Sequence, residues 1–190
     1  MARGSAARSF LLRPQVSSCV TQLSPRIVLN EEEEFRAFAA RMRGQRVTAA
    51  RLFLFTLQLY LASDAPDAPD LELWCEPSWQ LRSPQRVVTG SGAIDSPTDY
   101  GDEAEVQRAS TTVVRVGDAV RVLVGRSLVE LSVDRHTGAL TLHFSDGLVV
   151  ATFTDDPDSD LLWTARDPRS PGAFRGTPQG ITRAATSHVV

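Results

Sequence analysis

The chain has 190 residues, 42% of them hydrophobic and 23% charged, with a formal net charge of −3. That is about one globular domain, and no apolar run reaches the roughly 18–20 residues of a membrane-spanning helix. All 20 basic residues are arginine, which excludes a Schiff-base, P-loop or general-base lysine.

The charge is segregated. Residues 1–30 carry +4, residues 31–164 carry −10 and residues 165–190 carry +3. An acidic body repels phosphate, so nucleic acid is not an expected partner. Two cysteines, Cys19 and Cys75, are too few for a disulfide framework. Residues 1–25 are rich in Arg, Ser and Ala, lack acids and read as a disordered basic leader. Their composition also allows an organellar transit peptide, whereas Phe10–Leu12 is too short for a secretory core. The expected location is cytoplasmic.

A single domain is expected over residues 26–168. Asn30 and Glu33 form an Asx capping box, four glutamates fill the first turn, and Phe35, Phe38, Ala39 and Met42 make one apolar stripe. This predicts a helix over 31–43, closed by Gly44. Phe53, Phe55, Leu57, Leu59 and Leu61 alternate with Leu54, Thr56, Gln58 and Tyr60, the period of one half-buried strand. Residues 63–70 form a polar loop, and residues 71–81 a strand broken at Pro77. Residues 89–105 are Gly-, Ser- and acid-rich and read as a long loop. Residues 113–124 alternate weakly around Gly117, with a helical turn over 118–124 as the other reading. Residues 127–154 predict a three-stranded meander with Ser145-Asp146-Gly147 as a hairpin turn. Residues 169–190, dense in Pro, Gly, Ser and Thr, read as a disordered tail.

Two stretches match each other. Trp79-Gln-Leu-Arg82-Ser-Pro84 and Trp163-Thr-Ala-Arg166-Asp-Pro168 share the pattern W-x-x-R-x-P, and Thr56–Leu59 matches Thr141–Phe144. Gly44–Val47 likewise resembles Gly125–Leu128. An internal repeat over 44–84 and 125–168 follows, each copy unable to bury its face alone. The expected fold is therefore mainly β (α+β): two related antiparallel units forming a small roll, sandwich or partly open barrel, with one N-terminal helix.

Gly125-Arg126, the run from Leu140 to Gly147 and Trp163 together resemble a family of small bacterial proteins defined only as a domain of unknown function. The resemblance covers roughly residues 45–165. It implies a fold and no catalytic set, and, through relatives grouped with toxin-neutralising proteins, an immunity-type role.

Candidate chemistry is sparse. His136 and His143 lie at opposite ends of a hairpin arm, too far apart to share an ion, and His188 stands alone near the end. Asp156, Asp158, Asp160 and Asp167 mimic a calcium loop, but Leu161 occupies the position that needs Gly. Gly90-Ser91-Gly92 lacks the frame of a nucleophile elbow. Cys75 sits between Trp74 and Glu76 with nothing to lower its pKa. No catalytic, cofactor or metal residue is expected. Asp95, Asp99, Asp102, Glu103 and Glu105, with no base between Arg86 and Arg108, form an acidic face suited to a basic protein partner. The expected function is non-enzymatic binding through that face. An immunity-type neutraliser of a basic toxin or nuclease and a small enzyme assembled only in three dimensions are the alternatives. Oligomeric state is open.

Overall fold

The computed structural model describes residues 30–65, 67–154 and 161–184. Helix α1 runs over Glu31–Met42 because both hydrogen bonds of the Asn30–Glu33 capping box form. Its first-turn glutamates are also used: Glu32 meets Arg36 at 2.6 Å and Arg135 at 2.8 Å, and Glu34 pairs with Arg183. The stripe Phe35, Phe38 and Met42 is buried.

The molecule is mainly β, as its sequence predicts, in two antiparallel sheets that do not close into a barrel. The first sheet joins β1 (Val47–Phe53), β2 (Thr56–Leu61), β3 (Leu71–Cys75), β9 (Trp163–Arg166), β10 (Ala173–Thr177) and β11 (Gly180–Ala184), in that order. The second joins β5 (Val87–Gly90), β4 (Trp79–Arg82), β8 (Val149–Thr152), β7 (Leu140–Phe144) and β6 (Leu128–Val133). Period-2 alternation sends Leu57, Leu59, Leu73 and Trp163 of one sheet, and Trp79, Leu81, Leu142 and Val150 of the other, into a single core.

The path of the chain is the same twice. Strands β1–β2–β3 form a meander, and β4 then leaves to pair with β8 of the other sheet. Strands β6–β7–β8 form a second meander, and β9 leaves to pair with β3. Where the two meanders meet, Gly44 N–H donates to Leu128 O and Gly125 N–H to Val47 O. Beside these bonds Val47 N–H donates to Arg126 O and Leu128 N–H to Gln45 O. Both glycines hold positive φ, +83° and +84°, which only glycine adopts freely. Trp79 Nε1 donates to Phe55 O at 2.7 Å and Trp163 Nε1 to Gly138 O at 2.9 Å, each indole tying down the first turn of its own meander. Leu61 lies opposite Val47 and Phe144 opposite Leu128. The partner of Leu57 is therefore Leu140, two residues from the position that matching Thr56 with Thr141 gives, because the β6–β7 turn is longer.

Three sequence expectations need correction. The run Phe53–Leu61 is not one strand: a turn at Leu54-Phe55 splits it. Leu54 takes φ +53° there, costly for a leucine, so neither Gly nor Asn marked the turn. Residues 103–120 form a second helix, α2 (Glu103–Val120), instead of the end of a loop and a weak strand. Its β-branched valines gave the look of a strand. Its buried residues Ala109, Thr112, Val116 and Val120 have helical spacing, and the helix packs beside β1 and β5. Residues 173–184 of the expected loose tail form the hairpin β10–β11. Phe174 anchors it, its ring 5.5 Å from Phe35 and 5.4 Å from Phe38. Gly176 leaves room for the indole of Trp163 against the backbone. The leader 1–25 and residues 185–190 lie outside the described residues.

Candidate interaction surface

Four of the five predicted acidic residues gather around the N-terminus of α2, and Asp95 lies farther along the helix, beside Thr112. Asp102 caps it, accepting from Ala104 N–H at 2.8 Å and Glu105 N–H at 3.3 Å, as the positive end of the helix dipole favours. Glu105 turns back onto the loop. Its carboxylate accepts the Thr98 N–H and hydroxyl, both at 2.9 Å, and the Asp99 N–H at 3.1 Å. The Asp99 bond first, then those from Thr98, hold its carboxyl below the usual range. Asp99 accepts the Gly101 N–H at 2.8 Å. At the loop's other end Asp95 N–H donates to the hydroxyl of buried Thr112 at 3.0 Å.

Three of the five acids therefore have structural work, and Arg108 lies 3.9 Å from Glu105. Asp95 and Glu103 are exposed, with no ion pair among the described residues. Between them in sequence is Tyr100, 79% exposed, on a loop held by Glu105 at Thr98 and Asp99 and by Thr112 at Asp95. A depression of about 330 Å³ between the start of this loop and α2 is lined by Asp95, Ser96, Pro97, Thr98, Glu105 and Arg108. Sequence reasoning singled out the acids and missed the tyrosine. Its signal was an aromatic residue alone in a run of Asp, Gly and Glu.

The other chemical candidates are scattered. His143 is exposed on the outer face of β7, in register between Glu130 and Val149. His136 lies in the β6–β7 turn, its N–H bonded to Asp134. The Ser91 hydroxyl is committed to the Trp79 backbone, and burial pushes the Cys75 thiol up, with Glu76 adding to it. Asp167 is 5% exposed. Burial by itself would raise its pKa. Arg169 and Arg41, with Arg169 N–H, outweigh that and hold it well below the carboxylate range. Asp64 completes the group, 3.0 Å from Arg169 and 3.3 Å from Arg41. This network ties α1, the β2–β3 loop and the β9–β10 turn together. Asp156, Asp158 and Asp160 lie outside the described residues, as do Cys19 and His188. Among the described residues no three His, Cys, Asp or Glu side chains converge to hold a metal ion, and no helix is long and apolar enough to cross a membrane.

Comparison of the chain with family models, with curated proteins and with solved structures returns no match.

Proposed function

We propose that the protein acts by binding another protein without catalysis, through the acidic loop before α2, and that its partner is basic. The observation that carries this reading is Tyr100, 79% exposed on a loop that Glu105 and Asp102 hold in place. An exposed aromatic on a loop fixed in advance costs little ordering of the backbone on binding, and tyrosine is enriched among residues that dominate interface energy. Its ring offers a face to an arginine or lysine, and the exposed Asp95 and Glu103 of the same segment meet further cations. Covering the cationic active site of a toxin or nuclease is the sharper form of this proposal, and the cytoplasm is where it places the protein. The matched hydrogen bonds of Gly44 and Gly125, and of Trp79 and Trp163, support reading residues 44–84 and 125–168 as copies of one unit.

The test is co-purification of the tagged chain from its native host at low and moderate salt, beside Tyr100→Ala and the double variant Asp95→Arg, Glu103→Arg. A basic protein that elutes with the wild type, weakens as salt rises and is lost from both variants supports the proposal. Recovery of the chain alone at both salts, or equal capture by the variants, overturns it.

A further inference from the structure

The outward face of the six-stranded sheet, far in sequence from the acidic loop, carries a second recognisable pattern. Strand register places Arg51, Gln58, Trp74, Thr164, Arg175 and Thr182 in one row across all six strands. A neighbouring row brings Tyr60, Glu72 and Arg166 together. Phe53 lies on the same side of β1 as Arg51 by alternation and is 63% exposed. The turn that follows holds Leu54 at positive φ and 68% exposed, a strained backbone that presents apolar side chains to solvent.

The polar groups of this face are not all used within the chain. Arg51 stacks over the Tyr60 ring at 5.3 Å and has no carboxylate partner among the described residues. Arg175 is exposed and likewise unpaired. Arg166 reaches Glu72 at only 3.8 Å. The indole Nε1 of Trp74 and Nε of Arg166, both buried, have no acceptor among the described residues, and native structures leave few such donors unmet. Arg51 and Arg175 stand four strands apart, roughly 19 Å, with Trp74 midway. Three arginines against one glutamate make the two rows positive on a chain whose net charge is −3, and the row that holds Phe53 adds one acid, Glu76, bonded to the Thr56 hydroxyl.

We propose that this face docks an acidic segment of a partner protein, its carboxylates on Arg51 and Arg175 and its apolar groups on Trp74 and Phe53. Tryptophan, tyrosine and arginine at the centre of a surface are the composition of an energetic hot spot. A long polyphosphate is disfavoured beside a body of −10 over residues 31–164, whereas a short acidic segment brings fewer charges into that field. The surface is distinct from the Tyr100 loop, so either proposal can fail alone.

The probe is a capped synthetic peptide alternating glutamate and leucine, titrated into the full chain. Trp79 and Trp163 are fully buried, so a change in tryptophan fluorescence reports on Trp74. The expected result is a saturable change that Trp74→Phe removes and that raised salt weakens. Arg51→Glu with Arg175→Glu weakens binding at least tenfold while the far-ultraviolet spectrum and melting temperature stay at wild-type values. No saturable response at millimolar peptide, or equal binding by the charge-reversed variant, overturns the proposal. A tighter response to oligouridylate than to the peptide also overturns it and assigns the face to single-stranded nucleic acid.

Discussion

Leu57, Leu59 and Trp79 in the first half and Leu140, Leu142 and Trp163 in the second hold corresponding inward positions, and all six are fully buried. Between them the outward positions have little in common. Where the first sheet carries Arg51, Gln58, Trp74, Thr164 and Arg175, the second carries Ser132, Thr141, Ala151, Gln80 and Gly90 in the matching row. Packing density explains the likeness inside, since a core position tolerates few volumes. Nothing in the fold requires the difference outside. The neighbouring row of the second sheet holds Glu130, His143 and Arg82, so charge is present on both faces and it is the aromatic pair Trp74 and Tyr60 that sets the first apart.

The likeness of the two cores can be strained until it breaks. Trp163→Ala and Trp79→Ala each remove a fully buried indole and are expected to cost about 3–5 kcal/mol in chemical denaturation. Trp163 also packs on Phe35, ring centroids 5.0 Å apart, so its loss should be the larger. A smaller loss at Trp163 than at Trp79 would show that α1 adds nothing to the second half.

Asp167 has no carboxylate counterpart in the first half, where Ser83 holds the corresponding place after the W-x-x-R pattern. Asp167→Asn is expected to lower stability by about 1–3 kcal/mol near neutral pH, the range for hydrogen bonds to charged groups. The folded carboxyl titrates below its unfolded value of about 3.9. The contribution is therefore complete above that value and is lost as pH falls beneath it. Wild-type and variant melting temperatures should converge on acidification below about pH 4; a constant gap would remove the ion network from the account.

Gly176→Ala places a methyl group against the Trp163 indole and is expected to cost about 1–3 kcal/mol by overpacking. Gly92→Ala, with open space around it, should leave stability within about 0.5 kcal/mol. Equal melting points for the two variants would mean that the indole relaxes freely.

The smallest effects concern the two helix caps. Asn30→Ala and Asp102→Ala are each expected to cost about 1 kcal/mol. Only Asp102→Ala should also loosen the Tyr100 loop, seen as faster amide exchange at Thr98 and Asp99. Equal exchange in both variants would separate the cap from the loop.

How much of this was legible follows from the reach of each signal. α1 was readable because Asn30, Glu33 and the Phe35–Phe38–Met42 stripe are local and agree with one another. The hairpin at Ser145–Gly147 was readable because its turn residues have that conformation on their own; Asp146 takes φ +66°. The turn at Leu54 was hidden, since it is held from a distance by the Trp79 indole on Phe55 O. α2 was hidden because its buried side chains include Thr112 and Ala109, weak markers of an apolar stripe, among valines that favour strands. The acidic residues around Tyr100 could be found by charge alone. The row from Arg51 to Arg175 could not, because it exists only once six strands have taken their register.

The exchange of fourth strands also sets the order in which the protein can come into being. During synthesis the first meander and α1 leave the ribosome well before Trp163–Arg166, the strand that completes the sheet beside Leu73 and Cys75. Until then the edge of β3 is an open template with its apolar side uncovered, while β4 waits for β8. Contacts so distant in sequence close slowly, and a nascent chain adds only about 5–20 residues each second. The unfinished chain is therefore open at that edge for seconds. Its yield in a cell should depend on chaperone supply more than the stability of the finished fold would indicate.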